Sequence, residues 1–250
     1  MMLALFTDFG VQGPYVGLLK LALLRYAPTV PVIDLLHEAP AFAVQEAAYL
    51  LAAYVPEFPA NTVFVGVVDP GVGGARAGLM VHADENWFVG PDNGLFDRVV
   101  ARARRVTTWR ITWQPERLSS SFHGRDLFAP VAAQLAAGTA RPEQMGELIP
   151  FSGRDWPKEL ARIVYLDRYG NAMTGIRATA LGPEAVIQVG DDELRWGQTF
   201  GAAPVGQGLW YENSVGLVEL AVNQGSAAER LALQVGDVVS VLGATRARHP

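Results

Sequence analysis

Residues 62–74 read TVFVGVVDPGVGG. The run from Thr62 to Val68 is strongly β-branched and apolar, so it predicts a strand. It stops at Asp69-Pro70, a strand running straight into a turn. Working outward, Leu3–Thr7 is a second short apolar run that ends in Asp-Phe-Gly. Between the two lie Tyr15–Tyr26, apolar almost all round and so a helix covered on most sides, a strand over Val30–Leu35, and a helix over Val44–Tyr54. Beyond the glycine-rich loop come short strands at Gly78–Ala83 and Asn86–Val89. A helix at Leu95–Arg104, a strand at Arg105–Ile111 and an alanine-rich helix at Arg125–Ala137 complete this half. Strands alternating with helices argue for an α/β layer with a mostly parallel sheet.

The pattern changes after Ile149. Pro150, Gly153 and Pro157 punctuate a linker. Short β-like runs follow at 161–166, 172–177, 185–189, 209–211, 217–221 and 235–242, separated by turn residues. That spacing predicts a small all-β domain of barrel type. The expected division is an α/β domain over residues 1–150 and a β-barrel domain over 158–250.

Composition bounds the function. The chain has 250 residues, half of them hydrophobic and 18% charged, enough for a sizeable core. A net charge of −5 argues against a nucleic-acid partner held by phosphate neutralisation. With no cysteine, disulfides, thiolate metal sites and cysteine nucleophiles are excluded. Four histidines, His37, His82, His123 and His249, leave little material for a zinc site, so no metal is expected. No stretch approaches about 20 uninterrupted apolar residues, so no membrane partner is expected. The start, MMLALFTDFG, lacks a basic leader, and the expectation is a cytoplasmic protein.

Polar residues gather where the first-half strands end. Asp8 follows the first strand, Asp69 to Arg76 the central one, Gly90-Pro-Asp-Asn-Gly94 a third, and Phe122-His-Gly-Arg-Asp126 opens the last helix. Asp, Asn and Gly are ordinary turn residues after any one strand. Four such loops together point to one site, because open α/β sheets bind ligands outside the carboxyl ends of their strands. The Asp-Phe-Gly triplet is not a kinase motif, since only seven residues precede it. The glycine loop is not a P-loop, because Arg76 stands near the place of the lysine and no Lys-Ser/Thr follows. His123 titrates in the neutral range when unperturbed. With Asp69 and Arg76 it makes a base, a charge and an orienting group. Residues 224–237 look like the closing helix and strand of a PDZ domain, but the loop that domain needs to bind a carboxylate is missing. A short helix and a Gly-Asp turn closing a β domain is the better reading.

Six strings then resemble one family, the S-adenosyl-L-methionine hydroxide adenosyltransferases, relatives of fluorinases and chlorinases. They are Thr7-Asp-Phe-Gly10, Val68-Asp-Pro-Gly-Val-Gly-Gly74, Gly90-Pro-Asp-Asn-Gly94, Phe122-His-Gly-Arg-Asp126, Asp167-Arg-Tyr-Gly-Asn171 and Asn213-Ser-Val-Gly-Leu-Val-Glu219. The resemblance implies a metal- and cofactor-independent hydrolase. An activated water would attack the ribose C5′ of S-adenosylmethionine and release adenosine and L-methionine. It implies a homotrimer whose sites lie between the N-terminal domain of one subunit and the C-terminal domain of the next. Asp69, Arg76 and His123 would activate the water. Asp8 would hold the ribose hydroxyls, Asp167 the methionine ammonium and Ser214 its carboxylate. Asn171 would read the adenine edge with backbone near Val222, and Phe42 and Tyr169 would stack on the rings. Glu219 closes the last motif among these substrate contacts. Halogenases of the family have tyrosine where Asp69 stands, and fluorinases have serine in place of Gly124. Halogenases also have arginine after the serine, where this chain has Val215. The alternatives are a chlorinase-like halogenase of the same fold and a non-catalytic adenosine or S-adenosylmethionine sensor.

Overall fold

The computed structural model describes residues 1–243, so His249 lies outside the described residues. The chain divides into two compact units, Met1–Arg154 and Asp155–Pro250. The first runs β1 (Met2–Thr7), α1 (Tyr15–Tyr26), β2 (Val32–Leu36), α2 (Val44–Tyr54), β3 (Thr62–Val67), β4 (Gly78–Ala83) and β5 (Asn86–Pro91). It continues with α3 (Asp97–Val100), β6 (Val106–Ile111), α4 (Ala129–Ala137), α5 (Pro142–Met145) and β7 (Gly146–Ile149). These strands form one seven-stranded sheet in the order β2-β1-β3-β5-β4-β6-β7. β2, β1, β3 and β5 are mutually parallel. β4 runs antiparallel to β5 and β6, and β7 antiparallel to β6, so only β4 and β7 oppose the common direction.

The apolar run around Thr62 explains why β3 sits inside: all six of its residues are buried. Alternate side chains point to opposite faces. Leu3, Leu5, Val63 and Val65 pack with Leu19 and Leu23 of α1 and Val131 and Leu135 of α4. Phe64 and Phe88, in register on β3 and β5, stack with centroids 4.9 Å apart. Each such ring removed from water contributes roughly 1.5–3 kcal/mol. α4 ends at Gly138, whose φ of 68° lets the chain turn left-handed and cap the last carbonyls.

Two elements depart from expectation. The helix expected over Leu95–Arg104 is regular only at Asp97–Val100. The Asp84 carboxylate accepts the amides of Arg104 (2.9 Å) and Arg105 (3.0 Å), which pulls the backbone out of helix and into β6. β7 was not foreseen. It is a four-residue, half-exposed edge strand with no apolar alternation to announce it.

The second unit holds β8 (Leu160–Leu166), β9 (Ala172–Arg177), β10 (Val186–Val189), β11 (Asp192–Arg195), β12 (Gly208–Glu212), β13 (Leu217–Val222), α6 (Ala227–Arg230) and β14 (Ser240–Leu242). It is a small β unit, but among the described residues its ladders do not close into the expected barrel. They form a four-stranded sheet, β12-β13-β9-β8, and a three-stranded sheet, β11-β10-β14. Isolated bridges, Arg162 with Val238 and Trp196 with Trp210, join the two where ladders would be needed for closure. The last strand starts at Ser240 rather than Val235, because Asp237 caps a turn by accepting the Gln234 amide at 2.7 Å. Ile163, Ile187, Trp210 and Leu220 form the core, and the Trp210 indole donates to the Ala185 carbonyl at 2.9 Å.

Candidate active site

Because β1, β3 and β5 are parallel, their carboxyl ends share one edge of the sheet. Asp8 leaves β1, Asp69 leaves β3 two residues on, and Asp92-Asn93 leave β5. β4 runs the other way, so its start brings Arg76 to the same edge. The Asn93 side chain donates to the Val68 carbonyl at 2.7 Å and ties the third loop beneath the second. Gly73, with φ of 77°, presses on the 119–121 loop so closely that a Cβ would lie 2.2 Å from the Ser120 carbonyl oxygen. That is a physical requirement for glycine in this loop.

The structure brings Asp69, Arg76 and His123 together. Arg76 Nε donates to both Asp69 oxygens (2.9 and 3.1 Å), and its Nη2 donates to Asp69 Oδ2. The same Nη2 reaches His123 Nδ1 at 2.9 Å. A guanidinium only donates, so Nδ1 is the acceptor and the imidazole proton sits on Nε2. The Asp69 and Arg76 side chains are 4% and 11% exposed, so this is a nearly buried, charge-assisted pair. Arg76 also lies over the Phe128 ring, 5.2 Å from its centre. Burial, then the Arg76 charge, push the His123 pKa below its ordinary value, against the opposing pull of Asp69 and Asp126. The ring is therefore neutral at pH 7. Acid protonates it only below its ordinary value of 6.5.

His123 precedes a π-helical turn, Gly124–Phe128, that runs into α4. Such turns occur frequently at functional sites. Asp126 anchors the approach by accepting the Ser119 amide at 2.9 Å. A cleft of about 60 Å³ is lined by Asp8, Asp69, Ser121, His123 and Gly124, with apolar walls from Phe9, Val67, Val72 and Phe122. That is space for a few waters and far too little for a nucleoside. A Cβ on Gly124 would stand 3.1 Å from the Phe9 ring, so the missing side chain keeps the cleft open. Asp8 is pushed above the ordinary carboxylate range mainly by burial. The backbone amides of Phe42 and of Asp8 itself oppose this, and the Asp69 charge adds to it. Phe42 thus touches the site through its backbone. Its side chain is 77% exposed, with φ at 63°.

The remaining expected residues lie in the second unit, around a cavity of about 690 Å³. Asp167, Tyr169, Asn171, Ser214, Glu219 and Val222 all line it. The β8–β9 turn sets the first three. Asp167 Oδ1 accepts the amides of Tyr169 (2.8 Å) and Asn171 (2.9 Å), and Oδ2 accepts the Asn171 side-chain amide at 2.9 Å. The Asn171 backbone carbonyl in turn accepts the Asp167 amide at 3.0 Å. Gly170 (φ 80°) lies against Ser226 with no room for a Cβ. Asn213 shapes the opposite wall, accepting the amides of Val215 (3.1 Å) and Leu217 (2.9 Å) and donating to Glu219 Oε2 at 2.8 Å. Tyr211, paired with Glu219 across β12 and β13, donates its hydroxyl to Oε1. Burial raises the Glu219 pKa, with these two hydrogen bonds opposing.

Sequence reasoning missed Phe9, Phe122, Phe200, Met173 and Tyr211, which line the two cavities. Phe9, Phe122 and Tyr211 lie within or beside the quoted motifs, and the weight given to polar residues passed over them. Phe200, 42% exposed on a short 3₁₀ turn, carried no local signal. His37 is buried between Thr7 Oγ1 (2.8 Å) and Asp34 (3.1 Å), and His82 stacks on Trp87, so both are structural. Among the described residues, no cluster of three or more histidine or acidic side chains is placed to hold a metal, and no helix is long and apolar enough to cross a membrane.

Comparison with known proteins agrees with both halves. Family models for the SAM hydroxide adenosyltransferase N-terminal and C-terminal domains match residues 3–146 and 161–240. The chain is 38% identical to an (R)-S-adenosyl-L-methionine hydrolase of Thermus thermophilus, over 94% of this chain and 97% of that protein. It is also 38% identical to one of Salinispora arenicola, over 94% and 95%. A fluorinase of Nocardia brasiliensis is more distant, 25% identical over 96% of each. The crystal structure of an uncharacterised conserved protein from Thermotoga maritima superposes with a TM-score of 0.86 at 30% identity, covering 96% of this chain and 99% of that one.

Proposed function

This chain belongs to the SAM hydroxide adenosyltransferase family, and from that premise we propose that Asp69, Arg76 and His123 direct one water onto C5′ of S-adenosyl-L-methionine. The protein is an S-adenosylmethionine hydrolase. The observation that carries the residue assignment is the linked Asp69–Arg76–His123 set beside a cleft of water size. The His123 Nε2–H holds the water oxygen. Asp69 accepts a proton as the O–C5′ bond forms, and Arg76 fixes both groups. The C5′–S electron pair leaves with sulfur, so the sulfonium becomes neutral methionine thioether and one proton is released. Removing bulk water and holding the nucleophile in line supply most of the acceleration.

The second-unit cavity is large enough for a nucleoside. Tyr169 and Asn171 there receive the adenine, and Asp167 the ammonium. Asp8 takes the ribose hydroxyls. Asp69 also favours water over halide: its carboxylate lines the cleft, and even paired with Arg76 it offers a nearby anion an acceptor where the anion needs a donor. Incubation with S-adenosylmethionine, with and without chloride, tests this. Adenosine and methionine are expected in both samples, and a chlorinated nucleoside would contradict the assignment of Asp69.

The pH dependence follows from His123. Its pKa is lowered, so the neutral, competent ring persists above 6.5 and is lost only as pH falls below that value. The pH–rate profile should be flat through neutrality, with an acid limb below 6.5 that moves upward in Arg76→Met. An acid limb centred above 7 would refute the assignment.

We further propose a homotrimer with sites shared between subunits. α1 supports self-association, because it leaves the large apolar side chains of Tyr15, Leu18, Leu21 and Leu24 exposed. Specific activity should then fall on dilution together with the sedimenting mass. Constant activity in a monomer would remove this proposal.

A further inference from the structure

The geometry points to a second activity of this site, the hydrolysis of sulfonium nucleosides that lack a carboxylate, the decarboxylated analogue of S-adenosylmethionine first among them. The inference rests on the hydrolase reading and extends its substrate class.

The argument is one of charge. The second-unit cavity has Asp167 and Glu219 in its wall and no lysine or arginine. Arg168, next to Asp167 in sequence, is exposed and does not line it. The first-unit cleft likewise has Asp8 and Asp69 in its wall and no lysine or arginine. Arg76, beside it, is spent on both oxygens of Asp69 and on His123. Asp167 and Glu219 are each held as acceptors, the first by three N–H donors and the second by the Tyr211 hydroxyl and the Asn213 amide. These hydrogen bonds fix the orientation of both carboxyl groups in the cavity wall. Phe200, Tyr211 and Tyr169 add aromatic surfaces suited to a cation.

S-adenosylmethionine carries a sulfonium and an ammonium, and a carboxylate of opposite sign. Among the described residues lining either cavity, the side chains able to donate to that carboxylate are neutral, the Ser214 hydroxyl and the Gln224 amide among them. A carboxylate gains less from neutral donors than from a cation, and it meets the acidic Asp167 in the same wall. Its removal leaves a doubly charged cation that complements the walls better. The reaction is balanced as before: water adds to C5′, the C5′–S pair goes to sulfur, and adenosine, 3-(methylthio)propylamine and one proton result.

The test is a comparison of kcat/KM for the two substrates by adenosine release, in the intact protein and in Glu219→Gln. The decarboxylated analogue is expected within about 10-fold of S-adenosylmethionine or above it. Glu219→Gln should lower kcat/KM for both, by more for the doubly charged analogue. Loss of the analogue by more than about 10-fold, with S-adenosylmethionine still turned over, overturns the inference alone. Failure of both substrates overturns the hydrolase reading beneath it. Because Glu219 is buried, its variant also needs a thermal melt. If Glu219→Gln melts early, the wild-type substrate ratio decides the matter unaided.

Discussion

Asp69→Asn should lower kcat by about 10²–10⁴ and leave KM within a few-fold, the range in which a positioned general base acts. Three features place so much weight on this side chain. It leaves the central strand at the edge where β1, β3 and β5 all end. It is 4% exposed, so its charge acts in a medium much less polarisable than water. Both its oxygens meet the Arg76 guanidinium, so its orientation is fixed before substrate arrives. Asparagine is nearly the same size but turns an N–H toward Arg76, losing one bond and all of the charge. Steady-state kinetics on purified variant and parent decide it. A kcat within threefold of the parent would show that Asp69 does not act on the water. A KM rise with unchanged kcat would make it a binding residue instead.

Arg76→Met should be the second large effect, and it should act on stability as well as rate. Methionine fills much of the space but leaves Asp69 as a buried, unpaired carboxylate. Breaking such a pair from one side costs roughly 3–5 kcal/mol, which for a chain of this size lowers Tm by roughly 6–20 °C. The rate should fall by at least as much as in Asp69→Asn, because Asp69 and His123 lose their common anchor together. Effects of groups that work as one unit do not add. The double variant with Asp69→Asn should therefore be no slower than the worse single variant, and more stable than Arg76→Met alone, since the orphaned charge is gone. Additive losses in kcat would mean that the two residues act independently.

Much of this was legible in the residues, for identifiable reasons. The run over Thr62–Val67 had to be an inner strand because nothing in it tolerates water, and the parallel arrangement followed from the helices between strands. Once the strands are parallel, Asp8 and Asp69 must share an edge, so the carboxylate part of the candidate site was readable from strand ends. The bond from Arg76 to His123 was not. It needs the antiparallel turn of β4 and the π-helical turn after His123, and neither leaves a mark at the level of composition. The Leu95–Arg104 pattern was overridden by a single carboxylate, Asp84, which lies twenty residues before the nearer amide in the chain and so leaves no mark on the local pattern. Short strands such as β7 and β11 carry too few residues for periodicity to register. The second-unit cavity divides the same way. Asp167 and Asn171 announced themselves through a turn motif, whereas Phe200 reaches the cavity from a 3₁₀ turn and Tyr211 through a cross-strand pair. Tertiary placement decides such residues, and local sequence does not encode it.

The central claim is that water attacks C5′ of the ribose and that sulfur leaves with the bond pair. Turnover in ¹⁸O-enriched water, with mass analysis of both products, tests it most directly. One ¹⁸O in the 5′-hydroxyl of adenosine and none in methionine is the expected result. Label in the amino-acid product, with methylthioadenosine in place of adenosine, would mean attack on the other side of the sulfonium, and Asp69, Arg76 and His123 would then be facing the wrong carbon.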